Sequence, residues 1–264
     1  MVLEKIESVR EAVRNPWQMF LIGGMISVVC LFISFIVFPQ SVGLFTTFLI
    51  TFALTPFMVD LIRHEEVMTE EEIAKRKNMN LFNRHRGILL VYIAMFAGMV
   101  LSLSIIFLML PQNIVGKMFE DQINEINFIR GSIAFGGTFE KIFFNNIGVL
   151  FLAFLFSFLF GSGAIFILAW NASVLATAIG ITAKSIGGIK GLPIAILTFF
   201  PHGSLEILAY FIGGVAGGIV SAAITRRKSK WFHVILVDSA TLMITAIVLL
   251  FIAAMIETAS IALA

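Results

Sequence analysis

The sequence is poor in charged residues and almost free of cysteine. Charged residues make up only 13% of the 264 residues, whereas 59% are hydrophobic. The mean hydropathy of the chain is +1.01, and a soluble domain cannot bury that much apolar surface. A soluble protein is therefore excluded, and the composition predicts a polytopic membrane protein. The single cysteine, Cys30, excludes an internal disulfide.

The sequence also lacks the short motifs that identify several large enzyme classes. It has no HExxH zinc motif, no Walker A phosphate loop and no glycine fingerprint for dinucleotides. A secretory signal peptide is not predicted either, because residues 1–14 mix acidic and basic side chains. We therefore expect no enzyme activity, no cofactor and no metal. Residues 1–16 predict instead an amphipathic helix at the membrane surface.

Long apolar runs predict about seven transmembrane helices in an all-α bundle that forms one membrane domain, residues 1–264. The expected spans are residues 19–38, 42–62, 88–110, two within 146–183, 204–225 and 232–256. Gly161-Ser162-Gly163 is the expected reversal between the two spans of the long run. Residues 192–200 cover only roughly half a membrane thickness. We therefore expect them to form a re-entrant or interfacial half-helix that ends at a break around Pro201.

Two hydrophilic connections set the expected topology in the cell membrane. Residues 63–86 carry a cluster of Lys and Arg, which predicts a cytoplasmic loop. Residues 112–145 combine an apolar stripe with an acidic face, which predicts an amphipathic segment on the extracytoplasmic surface. The N-terminus is then cytoplasmic and the C-terminus, with Glu257, lies outside. Both connections are candidate contact sites for partner proteins, and the positive-inside rule explains the basic charge without nucleic acid.

Ionisable residues near lipid are costly, and the run Pro201-His202-Gly203-Ser204-Leu205-Glu206 holds two of them. His202 and Glu206 are four residues apart and would share a helix face. They could bind a polar ligand or partner, or together ligate a metal. The alternative is structural, with Glu206 in the first turn of its helix, where the helix dipole favours an anion.

Further polar side chains at membrane depth are Asn145, Asn146, Trp170 and Asn171. The two adjacent asparagines are expected to cap the start of a span, and Asn171 to hydrogen-bond across to a neighbouring helix. A serine protease would need Ser162 within reach of His202. The expected topology places these two residues near opposite membrane faces.

Small residues recur on the helix that follows Glu206. Gly213, Gly214, Gly217 and Gly218 form a face that allows close helix packing. We expect this face to support self-association, most simply as a homodimer.

The polar elements also occur in a recognisable order. Asn145-Asn146 precedes a break at Gly161 and Gly163, Trp170-Asn171 lies mid-helix, and a PHGxxE run from Pro201 to Glu206 leads into a glycine-rich helix. Over residues 138–257 this order resembles the stage II sporulation protein M family of integral membrane proteins. The resemblance implies an extracytoplasmic segment before Asn145. It also implies a non-enzymatic role, the anchoring of cell-wall hydrolases at the membrane.

The sequence therefore favours a non-catalytic membrane scaffold that assembles partner proteins in the lipid bilayer. The alternative is a transporter or channel with a polar site at the broken helix around His202 and Glu206.

Overall fold

The apolar runs of the sequence form long helices in the computed structural model, which describes residues 9–74, 81–134, 138–161, 164–225 and 232–262. The helices are α1 (Val9–Arg14), α2 (Trp17–Val37), α3 (Val42–Ala74), α4 (Leu81–Met109), α5 (Gln112–Met118), α6 (Glu120–Ala134), α7 (Thr138–Phe160), α8 (Ala164–Ile186), α9 (Leu192–Thr225) and α10 (Phe232–Ala262). A single 3₁₀ turn, Gly188–Gly191, joins α8 to α9. The described residues contain no strand.

Seven helices in the described ranges are long and apolar enough to cross a membrane, which confirms the all-α membrane bundle. These are α2, the first part of α3, α4, α7, α8, α9 together with its 3₁₀ turn, and α10. Helices are the form expected in lipid, because every backbone group must be satisfied within the chain. The expected reversal is also found, since α7 ends before Gly161 and α8 begins at Ala164, with Gly161 at a positive φ of 74°.

The sixth span corrects one expectation. Residues 192–200 are not a separate half-helix, because α9 runs without interruption from Leu192 to Thr225 with Pro201 inside it. A proline removes one backbone hydrogen bond, and packed transmembrane helices tolerate that loss. The true break lies earlier, at Gly187 and Gly188, whose φ angles of 125° and 71° favour glycine. With 34 residues, α9 is about 51 Å long, well beyond a bilayer core of about 30 Å.

Three further boundaries differ from the sequence predictions. The helix α7 begins at Thr138, so Asn145 and Asn146 lie inside it and do not cap its start. The helix α10 continues to Ala262, so Glu257 belongs to a helix and does not lie beyond it. Part of the basic connection 63–86 extends α3 as far as Ala74. Residues 1–8 of the expected surface helix lie outside the described ranges.

Polar contacts from Asp121 and Gln122 fasten the segment between α4 and α7 to the bundle. The carboxylate of Asp121 accepts hydrogen bonds from the backbone N–H groups of Gly43 and Leu44, at 2.9 and 3.2 Å, and so caps the start of α3. The side chain of Gln122 donates to the hydroxyl of Ser173 on α8 at 3.1 Å. These contacts hold α6 across one end of the bundle, which we call the α6 end.

Glycines set the distance between α7 and α9. A Cβ atom on Gly217 would collide with the backbone carbonyl of Phe154, and one on Gly213 would meet the Leu150 side chain. Both helices start at the α6 end, and successive contacts advance by about four residues on each, so the pair is parallel and held in one register. We call this contact the glycine seam.

The glycines predicted to pack against a second copy instead pack against other helices of the same chain. Gly214 faces Ala164, Gly218 faces Ile62, and all four glycines are buried. The seam therefore does not offer a free face to a second copy. Self-association stays a prediction and would need another surface.

The glycine seam predicts opposite effects for two Gly→Ala substitutions. Gly217→Ala should lower the Tm of the purified protein, because overpacking costs about 1–3 kcal/mol. Gly148→Ala is the matched control, since a Cβ there meets nothing within 4 Å and alanine favours the helix by about 1 kcal/mol. Thermal unfolding in detergent measures both. An equal rise in Tm for the two variants would contradict the close packing at Gly217.

Candidate functional site

A cavity of about 500 Å³ lies among α6, α7, α8, α9 and α10, towards the α6 end. Its walls are largely apolar, with Ile126 and Ile129 from α6, Val174 and Leu175 from α8, and Ile207 from α9. Its polar lining is Lys141, Asn145, Asn146, Asn171, His202, Glu206, Tyr210 and Glu257. We call this space the polar cavity.

A single asparagine links the polar groups of α7 and α9. Asn146 is buried, and its amide nitrogen donates to Oε1 of Glu206 at 2.6 Å. Its amide oxygen accepts a hydrogen bond from the hydroxyl of Tyr210 at 2.9 Å. Glu206 and Tyr210 are four residues apart and so project from one face of α9. Asn146 thus uses both ends of its amide to fasten two polar side chains at membrane depth.

A second carboxyl group meets Glu206 from α10. Glu257 lines the same cavity, and its side chain lies within hydrogen-bonding reach of Glu206. A hydrogen bond between two carboxyl groups needs a proton between them, since two carboxylates at this distance repel each other. Within the described ranges, no ion pair joins His202 to either carboxyl group. The amide of Asn146, which donates to Glu206, is a neutral partner.

His202 lies in the polar cavity but does not contact Glu206 as a capping or ligating partner. Its ring packs edge-on against Phe199, with centroids 6.2 Å apart. The structural alternative for Glu206 is wrong, because α9 begins at Leu192 and Glu206 lies several turns inside it. The dipole at a helix start therefore does not explain its position.

The remaining predicted polar residues divide between the cavity and its surroundings. Asn171 lines the cavity while its amide donates to the Ile167 carbonyl of its own helix at 2.8 Å, so no bond to a neighbouring helix is seen. Asn145 reaches Asn146 at 3.5 Å, a weak contact. Trp170 is not part of the lining, and its carbonyl accepts from the Ser173 hydroxyl.

The structure tests the predicted metal site but not the predicted separation of Ser162 from His202. Within the ranges 9–74, 81–134, 138–161, 164–225 and 232–262, no group of three or more His, Cys, Asp or Glu side chains is placed to hold a metal ion. Ser162 lies outside these ranges.

Sequence reasoning missed Lys141, Tyr210 and Glu257 as lining residues. Tyr210 carried a usable signal, because it follows Glu206 by one helical turn. Glu257 was obscured by its position after the last predicted span, although the residues that follow it are mostly apolar and could have extended that helix.

The fold and the site define a polytopic helical membrane protein with a half-open polar cavity between its helices. The chain belongs to the stage II sporulation protein M family, whose model matches residues 87–260. The match is longer than the expected 138–257, since it begins in α4 and covers every residue named as polar lining. No curated protein and no solved structure matches the chain.

The bridging role of Asn146 predicts a loss of stability when its amide is removed. Asn146→Leu should lower the Tm, because Glu206 and Tyr210 lose a hydrogen-bond partner in a buried site, at a cost of about 1–3 kcal/mol. Asn145→Leu is the neighbouring control, because that side chain makes only the weak contact at 3.5 Å. Thermal unfolding of both purified variants in detergent is the measurement. Equal Tm values for the two would show that the bridge contributes nothing to stability.

Proposed function

We propose that the protein is a carrier that binds a small molecule in the polar cavity and moves it across the membrane. The observation that supports this most is the cavity itself, whose volume of about 500 Å³ lies within the ~300–1,000 Å³ typical of small-molecule sites. Ionisable residues within transmembrane segments most often mark the path of a substrate or an ion. Glu206 and Glu257 occupy such positions and face this cavity.

The arrangement along α9 supports movement between two membrane faces. A second cavity of about 290 Å³ lies towards the opposite end of this helix, lined in part by Arg63, Gly161 and Thr225. The glycine seam lies between the two cavities. Pro201 is inside α9 beside the polar cavity, where a missing backbone hydrogen bond allows the helix to bend. Bending there would open the site to each side in turn.

Cysteine labelling tests this proposal without knowledge of the substrate. Val174→Cys in a Cys30→Ser background places one thiol in the polar cavity. A carrier predicts that an impermeant thiol reagent labels it from both faces of sealed vesicles. Labelling from one face only, or from neither, would contradict a carrier.

Two matched positions control the experiment. Leu150→Cys replaces a fully buried side chain in the glycine seam and should stay unlabelled. Asn127→Cys replaces an exposed side chain on α6 that does not line the polar cavity and should react from one face only. That face is the extracytoplasmic one if the predicted topology is correct.

Family membership favours a second candidate, the non-catalytic scaffold. Helices α5 and α6 lie outside the candidate spans and expose polar residues such as Lys117, Asn124 and Asn127. A scaffold would use this surface, the connection 63–86, or both to hold partner proteins.

The scaffold proposal is tested by a photo-crosslinking residue at Asn124 in intact cells. It predicts one discrete crosslinked product, which the same residue at the exposed position Leu155 of α7 does not give. Identical crosslinking patterns at the two positions would count against the scaffold.

A further inference from the structure

We infer that the ligand of the polar cavity is a cationic amine with an apolar body, which replaces the proton held between Glu206 and Glu257. This inference rests on the proposed function, because it names the ligand class of the same cavity. The cavity, its apolar walls and its paired carboxyl groups carry the inference together.

The charge of the site favours a cation. Two carboxyl groups that share one proton carry one negative charge. Asn146 donates a neutral hydrogen bond to Glu206, and the Tyr210 hydroxyl is directed to Asn146 and not to a carboxyl group. An anion placed against the two carboxyl groups would meet this negative charge and be repelled.

Other titratable groups face the pair from the helices around it. His202 and Tyr210 lie on α9, and Lys141 lies on α7. Among the described lining residues, α6 and α8 contribute only apolar side chains and the amide of Asn171. Within the described ranges, no ion pair joins His202 to either carboxyl group. A bound ammonium would place its positive charge directly against the two carboxyl groups.

The size and walls of the cavity favour an organic cation over a bare metal ion. About 500 Å³ is far more space than one ion occupies, and the described residues offer no metal-ligating group. Val174, Leu175 and Ile207 form apolar walls that suit the hydrocarbon part of an amine. A ligand with one small polar group and a larger apolar part matches a cavity whose lining is polar near the carboxyl groups and apolar elsewhere.

The exchange balances in atoms and charge. The ammonium enters, the O–H bond of the shared proton breaks, and that proton leaves to water. The N–H groups of the ammonium then hydrogen-bond to the two carboxylates, and no electrons are transferred. The net charge of the site is the same before and after, so no uncompensated charge is created inside the bundle.

Calorimetric binding to the purified full-length protein tests the inference with three probes of one shape: benzylammonium, benzyl alcohol and benzoate. We expect benzylammonium to bind tighter than the other two by roughly tenfold or more. Repeating the titration in buffers of different ionisation enthalpy should reveal release of about one proton per cation bound. Affinity should therefore rise with pH, as long as the amine itself stays protonated.

Two variants localise the effect. Glu257→Gln keeps the shape of the side chain but removes one carboxyl group, so the preference for benzylammonium and the proton release should both be lost. Glu140→Gln, on the exposed side of α7, should bind as the unchanged protein does. Thermal unfolding shows whether each variant is folded, and Glu206→Gln provides a second variant of the pair.

Four outcomes would overturn the inference. Equal binding of benzyl alcohol or benzoate would remove the cation preference while leaving a ligand-binding cavity in place. Failure of all three probes, together with two-sided labelling of Val174→Cys, would reject the amine but keep the carrier. Failure of all three with one-sided labelling would reject both. Tight benzylammonium binding without proton release would exclude the exchange.

Discussion

The hydrogen bond between Asn146 and Glu206 is the contact on which the polar cavity depends. It joins α7 to α9 at 2.6 Å and fixes one oxygen of a carboxyl group that also meets Glu257 from α10. In lipid, polar side chains need partners within the protein, so these three helices must meet at this point.

The glycine seam makes that hydrogen bond possible. Leu150 opposes Gly213 and Phe154 opposes Gly217, so the two parallel helices advance together by about four residues per contact. The same step towards the α6 end brings Asn146 opposite Tyr210 and next to Glu206. Packing by small residues therefore sets the register, and the register assembles the polar site.

The spans could be predicted because membrane insertion depends on local apolar length, which the sequence shows directly. The same local reasoning misplaced the break at Pro201, since whether a proline ends a helix depends on how its neighbours pack. It also treated Asn145-Asn146 as a helix start. The run before these residues, from Thr138 onwards, contains charges that the sequence alone could not place within the same helix.

The candidate site was predicted in part for the same physical reason. His202, Glu206, Asn146 and Asn171 stood out because polar groups in apolar runs require an explanation. Their mutual positions depend on the parallel register of α7 and α9, which no local pattern encodes. Glu257 lies more than 60 residues beyond every residue of α7 along the chain. It meets Glu206 only because α10 returns to the α6 end. The glycines were recognised as packing residues, but the helix they pack against was not.

Infrared difference spectroscopy on the purified protein tests the central claim most directly. The account predicts that adding benzylammonium removes the carbonyl band of one protonated carboxyl group. It also predicts that this change is absent in both Glu206→Gln and Glu257→Gln and is retained in Glu140→Gln. A spectrum in which no protonated carboxyl group is lost on binding, or in which the change persists in Glu206→Gln, would contradict the account.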